Sequence, residues 1–174
     1  QDGKTLAIAT MDSSIYLYNV EDFTSKGRCK GHSGGVKHID FSVDDQWLQS
    51  TCNQHELLYW NAYTGEQHKA IGSLKDVEWA TWTCPLGWYV QGIWPNFDDG
   101  VDFTAAVRSD DNTLLATGDR FGRLQLWRFP VLEKEAARKT YYGHSETVTN
   151  ICFSPGDQYI VTLANDRCIF QWKH

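Results

Sequence analysis

The residues of this chain best equipped for chemistry are its six histidines and five cysteines, together with the run His144-Ser145-Glu146. A nucleophile, base and orienting acid must converge in space, and three consecutive residues on a strand or turn cannot do so. Gly118-Asp119-Arg120-Phe121-Gly122 is a glycine-containing turn that lacks the Lys-Ser/Thr pair and following helix of a phosphate loop. His38, His55, His68 and His174 have no paired spacing on a helix or around a cysteine. The cysteines at 29, 52, 84, 152 and 168 are odd in number and share no close spacing, which argues against a disulfide framework and a zinc site. We therefore expect no catalytic residue, no cofactor and no metal.

Histidine instead recurs inside a repeat. Gly31 to Trp60 and Gly143 to Trp172 are each 30 residues long, align without a gap, and run from Gly-His through an apolar Ile-x-Phe-Ser segment to a closing Trp. Three short strands in such a unit form a WD-type blade of a β-propeller. Within each, a histidine, a second-strand hydroxyl, a turn carboxylate and the closing Trp are expected to join in one buried network. In the last repeat these are His144, Thr162, Asp166 and Trp172. In the earlier one they are His32, Ser50, Gln54 and Trp60, with an amide in place of the carboxylate, so that network should be weaker. A buried imidazole or indole without its partner costs about 1–3 kcal/mol.

Two degraded copies complete the pattern. Ser109 to Trp127 matches Ser42 to Trp60, but its repeat lacks the histidine and carries Phe121 at the Asp position, so packing should hold it. Leu6 to Tyr18 matches Leu48 to Trp60. The predicted fold is all-β, a partial propeller of about three and a half blades. Residues 1–30 hold the end of one blade and an outer strand assigned to the next; 31–71 form a repeat, 72–102 a Trp-rich insertion, 103–142 a degenerate repeat and 143–174 the last repeat. Predicted strands cover Val36 to Phe41, Trp47 to Cys52, Leu57 to Ala62 and Glu66 to Ile71, then Phe103 to Arg108, Val148 to Phe153, Tyr159 to Ala164 and Cys168 to Trp172. Leu132 to Arg138 is the single helical candidate and reads better as a loop. A ring needs more blades, so the remainder of the propeller is expected from sequence outside this chain or from a partner chain.

The third-strand aromatics at 18, 60, 127 and 172 are spaced by 42, 67 and 45 residues, which locates an insertion of about 25 residues in the middle interval. It reads Gly72 to Val101 and holds four of the eight tryptophans, Trp79, Trp82, Trp88 and Trp94. β-Branched and aromatic residues on both sides of Cys84-Pro85-Leu86-Gly87 predict a hairpin with strands Val77 to Thr83 and Trp88 to Ile93. The tryptophans suit a core between blades better than an exposed partner site.

Charge excludes other classes. At −6, the chain lacks the basic excess that nucleic-acid binding draws on, and no apolar run approaches the length that spans a bilayer. Locally, Arg120, Arg123, Arg128, Lys134, Arg138 and Lys139 outweigh Asp119, Glu133 and Glu135 by +3, whereas the insertion is acidic. The basic stretch reads either as a solvated edge that deters strand pairing or as a surface that steers an acidic partner.

Asp76-Val77-Glu78-Trp79-Ala80-Thr81, Gly92-Ile93-Trp94-Pro95, Asp99-Gly100-Val101-Asp102 and Gly143-His144-Ser145 resemble the second propeller of the echinoderm microtubule-associated protein-like family across the whole chain. Trp127, where members tend to carry Phe, and Asp99-Gly100-Val101-Asp102-Phe103, where they favour a Thr and an Ile, are departures. The resemblance implies a non-enzymatic scaffold of the microtubule cytoskeleton, in the cytoplasm or an axoneme, with tubulin, microtubules or other cytoskeletal proteins as partners. The alternative is a generic WD-repeat adaptor of another complex, which would not need the Glu-Trp-Ala-Thr block.

Overall fold

A computed structural model of the protein describes residues 3–94 and 102–173. The Pro95 to Val101 part of the insertion, including Asp98 and Asp99, lies outside the described residues, as does His174. The chain forms two compact units, one ending at Cys84 and the other beginning at Pro85.

In the first unit, β1 (Thr5–Ala9), β2 (Ser14–Asn19) and β3 (Ser25–Lys30) make an antiparallel sheet. Beside them in sequence, β4 (Val36–Phe41), β5 (Trp47–Cys52), β6 (Leu57–Asn61) and the short β7 (Gln67–His68) make a second. The second unit repeats the plan with β8 (Phe103–Arg108), β9 (Leu114–Asp119), β10 (Arg123–Arg128) and β11 (Arg138–Tyr142), followed by β12 (Val148–Phe153), β13 (Tyr159–Ala164) and β14 (Ile169–Lys173). All pairings are antiparallel between sequence neighbours, as propeller blades require.

The serine just after the first strand, preceded by Phe41 and Phe153 in two blades and by Arg108 in a third, has a local function. The hydroxyls of Ser42, Ser109 and Ser154 accept the amides of Trp47, Leu114 and Tyr159 at 2.9, 2.9 and 3.0 Å, closing the first hairpin of three blades. Between them the turn places Asp45, Asn112 and Asp157 at positive φ, which short polar side chains tolerate. Alternation then gives each sheet an apolar face. In the first unit Ile15, Leu17, Val36, Leu48 and Trp60 form one core; in the second Ala116, Leu124, Val148, Ile151 and Ile160 form another.

Four expectations need correction. Strand β3 pairs with β2, so it completes the first sheet and is not an outer strand of the next. The outer strand predicted for Glu66 to Ile71 is only Gln67–His68, because the chain turns into a 3-10 helix at Ile71–Leu74. The predicted hairpin in the insertion is absent, and its second half, Trp88–Ile93, is a 3-10 helix. Its first half meets β4 by a single bridge, Ser42 with Trp79, flanked by bonds from Val43 to Glu78 O and from Ala80 to Phe41 O. The segment is held instead along β4, where the buried Asp40 carboxylate takes the amides of Thr83 and Cys84 at 2.9 and 3.2 Å and Phe41 O takes that of Ala80. Finally, the insertion is not one piece: residues up to Cys84 belong to the first unit and Pro85 onward to the second.

Candidate functional site

The blade network is complete in β12 to β14. Trp172 Nε1 donates to Thr162 Oγ1 at 2.9 Å, and Thr162 Oγ1 stands 2.7 Å from His144 Nε2. His144 Nδ1 faces Asp166 Oδ2 at 3.0 Å. A carboxylate only accepts, so Nδ1 carries the proton, and Nε2 receives the threonine hydroxyl. The Ser145 and Cys168 amides also donate to Asp166, at 3.0 and 2.9 Å. Burial pushes the Asp166 pKa up, but these amides and His144 outweigh it and hold it below the ordinary 3.8. The glycine of Gly-His is part of the fit, since a Cβ on Gly143 would come 2.7 Å from the Trp172 ring. Both ring nitrogens of His144 are engaged and the residue is buried.

In β4 to β6 the same chain forms with one change. Trp60 Nε1 donates to Ser50 Oγ at 2.7 Å, and Ser50 Oγ lies 2.7 Å from His32 Nε2. Gln54 takes no part: its side chain is exposed, and the acid facing His32 Nδ1, at 3.4 Å, is Glu56. Glu56 also accepts the Ser33 amide and hydroxyl, each at 2.8 Å, and the Cys52 thiol at 3.3 Å. The Ser33 bonds and then the thiol hold its pKa down at about 2. Burial lowers the His32 pKa against the opposing pull of Glu56. The carboxylate has therefore moved two positions along the turn, a substitution visible in the sequence only as an acid in the same loop. His32, Cys52 and Glu56 offer ligating atoms no more than 4.8 Å apart.

The β8 to β11 blade also differs from expectation. Trp127 Nε1 keeps its bond to the second-strand hydroxyl of Thr117, at 3.0 Å. In place of the histidine, the fully buried Asp119 accepts the amides of Phe121 and Arg123 at 2.9 and 3.0 Å and the Arg123 Nε at 2.6 Å. Polar bonding thus holds this blade as well as packing.

The basic stretch does not form one patch. Arg120 and Arg123 stand before β10 and at its start, whereas Arg128, Lys134, Arg138 and Lys139 lie at or beyond its end, about 17 Å away at strand rise. Arg120 and Arg123 flank the exposed Phe121 ring at 4.9 and 5.1 Å, and Arg123 is already paired with Asp119. At the other end, Arg128, Arg138 and Lys139 line a cavity of about 340 Å3 with Leu114, Leu126 and Trp127. Arg138 lies over the Trp127 ring at 5.1 Å.

The insertion tryptophans divide likewise. Trp79 and Trp82 are buried at 4% and 2% exposure, with Trp82 Nε1 bonded to Cys84 O at 2.8 Å. Trp94 is half-buried, its Nε1 on Pro85 O at 2.9 Å, and Trp88 is 39% exposed. Only Trp88 offers a substantial surface to a partner.

Comparison with known proteins extends these observations. Residues 1–174 match the family described as echinoderm microtubule-associated protein second beta-propeller. The chain is 40% identical to rat echinoderm microtubule-associated protein-like 1 over 99% of its length, which is 22% of that protein. It is 42% identical to the 77 kDa echinoderm microtubule-associated protein of Strongylocentrotus purpuratus, again over 99% of the chain and 26% of the relative. It thus spans about a quarter of those relatives or less. Among solved structures, the Myceliophteria thermophila Cps50 (Swd1) beta-propeller domain superposes on 98% of the chain and 62% of that domain, with a TM-score of 0.69 at 17% identity. That likeness supports the propeller fold alone.

Proposed function

Because the chain belongs to the echinoderm microtubule-associated protein second beta-propeller family, we propose that it acts as a non-enzymatic interaction module of microtubule-associated proteins. The observation that carries this reading is the match along the entire chain to proteins named for microtubule association. The geometry supports it, since both ring nitrogens of the buried His144 are engaged within its own blade. A cytoskeletal setting follows from the same relatives.

Tubulin is the proposed partner, met through the end of β10 and the start of β11. The cavity lined by Arg128, Arg138 and Lys139 over an apolar floor suits an acidic segment, whose charge would be steered there and whose apolar groups would meet Leu114 and Leu126. Co-sedimentation of the intact protein with polymerised and unpolymerised tubulin tests the proposal. Binding to either supports it. Absence of both, with the propeller folded, favours an adaptor of another complex.

A further inference from the structure

We propose that His32, Cys52 and Glu56 form a binding site for a zinc-class divalent cation on the β4 to β7 blade. Three different ligand chemistries meet there: an imidazole, a thiol and a carboxylate, with ligating atoms all within 4.8 Å of one another. Glu56 Oε2 lies 3.4 Å from His32 Nδ1 and 3.3 Å from Cys52 Sγ. The two separations from Glu56 fit a tetrahedral ion, for which bonds of about 2.0–2.1 Å to nitrogen and oxygen and 2.3 Å to sulfur place neighbouring ligands about 3.3–3.6 Å apart, and His32 Nδ1 and Cys52 Sγ, within 4.8 Å of each other, would draw together to that spacing on binding. Nitrogen, sulfur and one hard oxygen together select zinc over magnesium or calcium, which prefer all-oxygen sites.

The surroundings favour loading. Ser50 Oγ, 2.7 Å from His32 Nε2, can accept the proton of that nitrogen and leave Nδ1 free to bind the ion. On binding, the thiol gives up its proton to solvent and the imidazole, whose Nδ1 faces Glu56, shifts its single proton to Nε2. His32 and Cys52 are buried, whereas the Glu56 side chain is 36% exposed and gives the ion a way in. A fourth position remains for water or a partner's ligand. The β12 to β14 blade provides an internal contrast: at the same repeat offsets it has Ala164 for Cys52 and Cys168 for Glu56, and its histidine Nδ1 faces Asp166. Two sequence differences between otherwise parallel blades create the thiol and carboxylate pair. Spacing alone hid it, because the three residues are 20 and 4 positions apart on a loop, a strand end and a turn.

Titration of the intact protein with cobalt(II), then zinc(II), tests the site. One equivalent of cobalt should give a near-ultraviolet thiolate charge-transfer band and intense visible bands of tetrahedral coordination, both abolished by zinc. Cys52→Ala, which copies the sister blade, should remove the thiolate band with the circular dichroism unchanged. Cys152→Ser with Cys168→Ser, at the exposed thiols, should retain it. Glu56→Gln preserves shape and should weaken cobalt binding at least about tenfold, a loss that even outer-shell partners cause. No band in the folded wild-type protein, a band that follows Cys152 and Cys168, or unchanged affinity in Glu56→Gln overturns the proposal.

Discussion

A methyl group at Gly122 would sit 2.4 Å from the His144 carbonyl oxygen, on a backbone held at φ +76. The turn between β9 and β10 therefore meets the next blade only as glycine. Gly122→Ala should lower stability by about 1–3 kcal/mol from the backbone conformation alone, more with the clash, read as a reduced urea midpoint. A midpoint equal to wild type would mean that the turn shifts freely. The carboxylate at the end of the adjoining network makes a pH-dependent contribution. Because the folded-state pKa of Asp166 lies below its ordinary 3.8, its charged form stabilises the fold fully above that value, and the contribution fades as pH falls through the depressed value. Thermal midpoints of wild type should thus decline more steeply below about pH 4 than those of Asp166→Asn, which has no charge to lose. Parallel declines would assign acid unfolding to other groups.

At the scale of elements, one buried side chain gathers the first half of the insertion. Asp40 accepts Thr81 Oγ1 at 2.6 Å, Thr83 N at 2.9 Å, Cys84 N at 3.2 Å and Gln49 Nε2 at 3.0 Å. Asp40→Ala would strand these donors at about 1–3 kcal/mol for each left buried and unpaired. Limited proteolysis should then cut between Trp79 and Trp94 at protease levels that leave wild type whole, and equal resistance would show that Trp79 and Trp82 anchor the segment without Asp40. This dependence marks what sequence could express. Blade strands follow from period-two alternation and a repeated Phe-Ser, which are local signals, and those elements lie where the spacing puts them. The histidine, hydroxyl and tryptophan positions were legible for the same reason, as fixed offsets in a repeat. The insertion was not, because its conformation answers to a carboxylate on β4 some 40 residues earlier, and aromatic enrichment mimics a strand without specifying one. Glu56 and Asp119 escaped similarly: each meets its blade's polar need from a position two residues off the repeat register.

For the molecule as the proposed partner of tubulin, sequence joined bases that the strand separates. The Arg128, Arg138 and Lys139 end combines several cations with an apolar cavity, whereas Arg123 at the other end is committed to the buried Asp119. Arg123 is therefore a poor probe of binding, since reversing it would leave a buried carboxylate unpaired and destabilise the blade. Arg128→Glu, Arg138→Glu and Lys139→Glu combined in the intact protein should isolate the cavity, and Arg120→Glu the opposite end. Exposed ion pairs contribute about 0–1 kcal/mol each. Losing three near the upper half of that range weakens tubulin affinity roughly tenfold to a hundredfold at low salt, with a smaller difference as salt screens the field. Arg120→Glu should change affinity by only a few fold. A triple variant that stays folded and binds as wild type at low salt would remove this cavity from the interface. A large loss on Arg120→Glu alone would move the interface to the Phe121 turn.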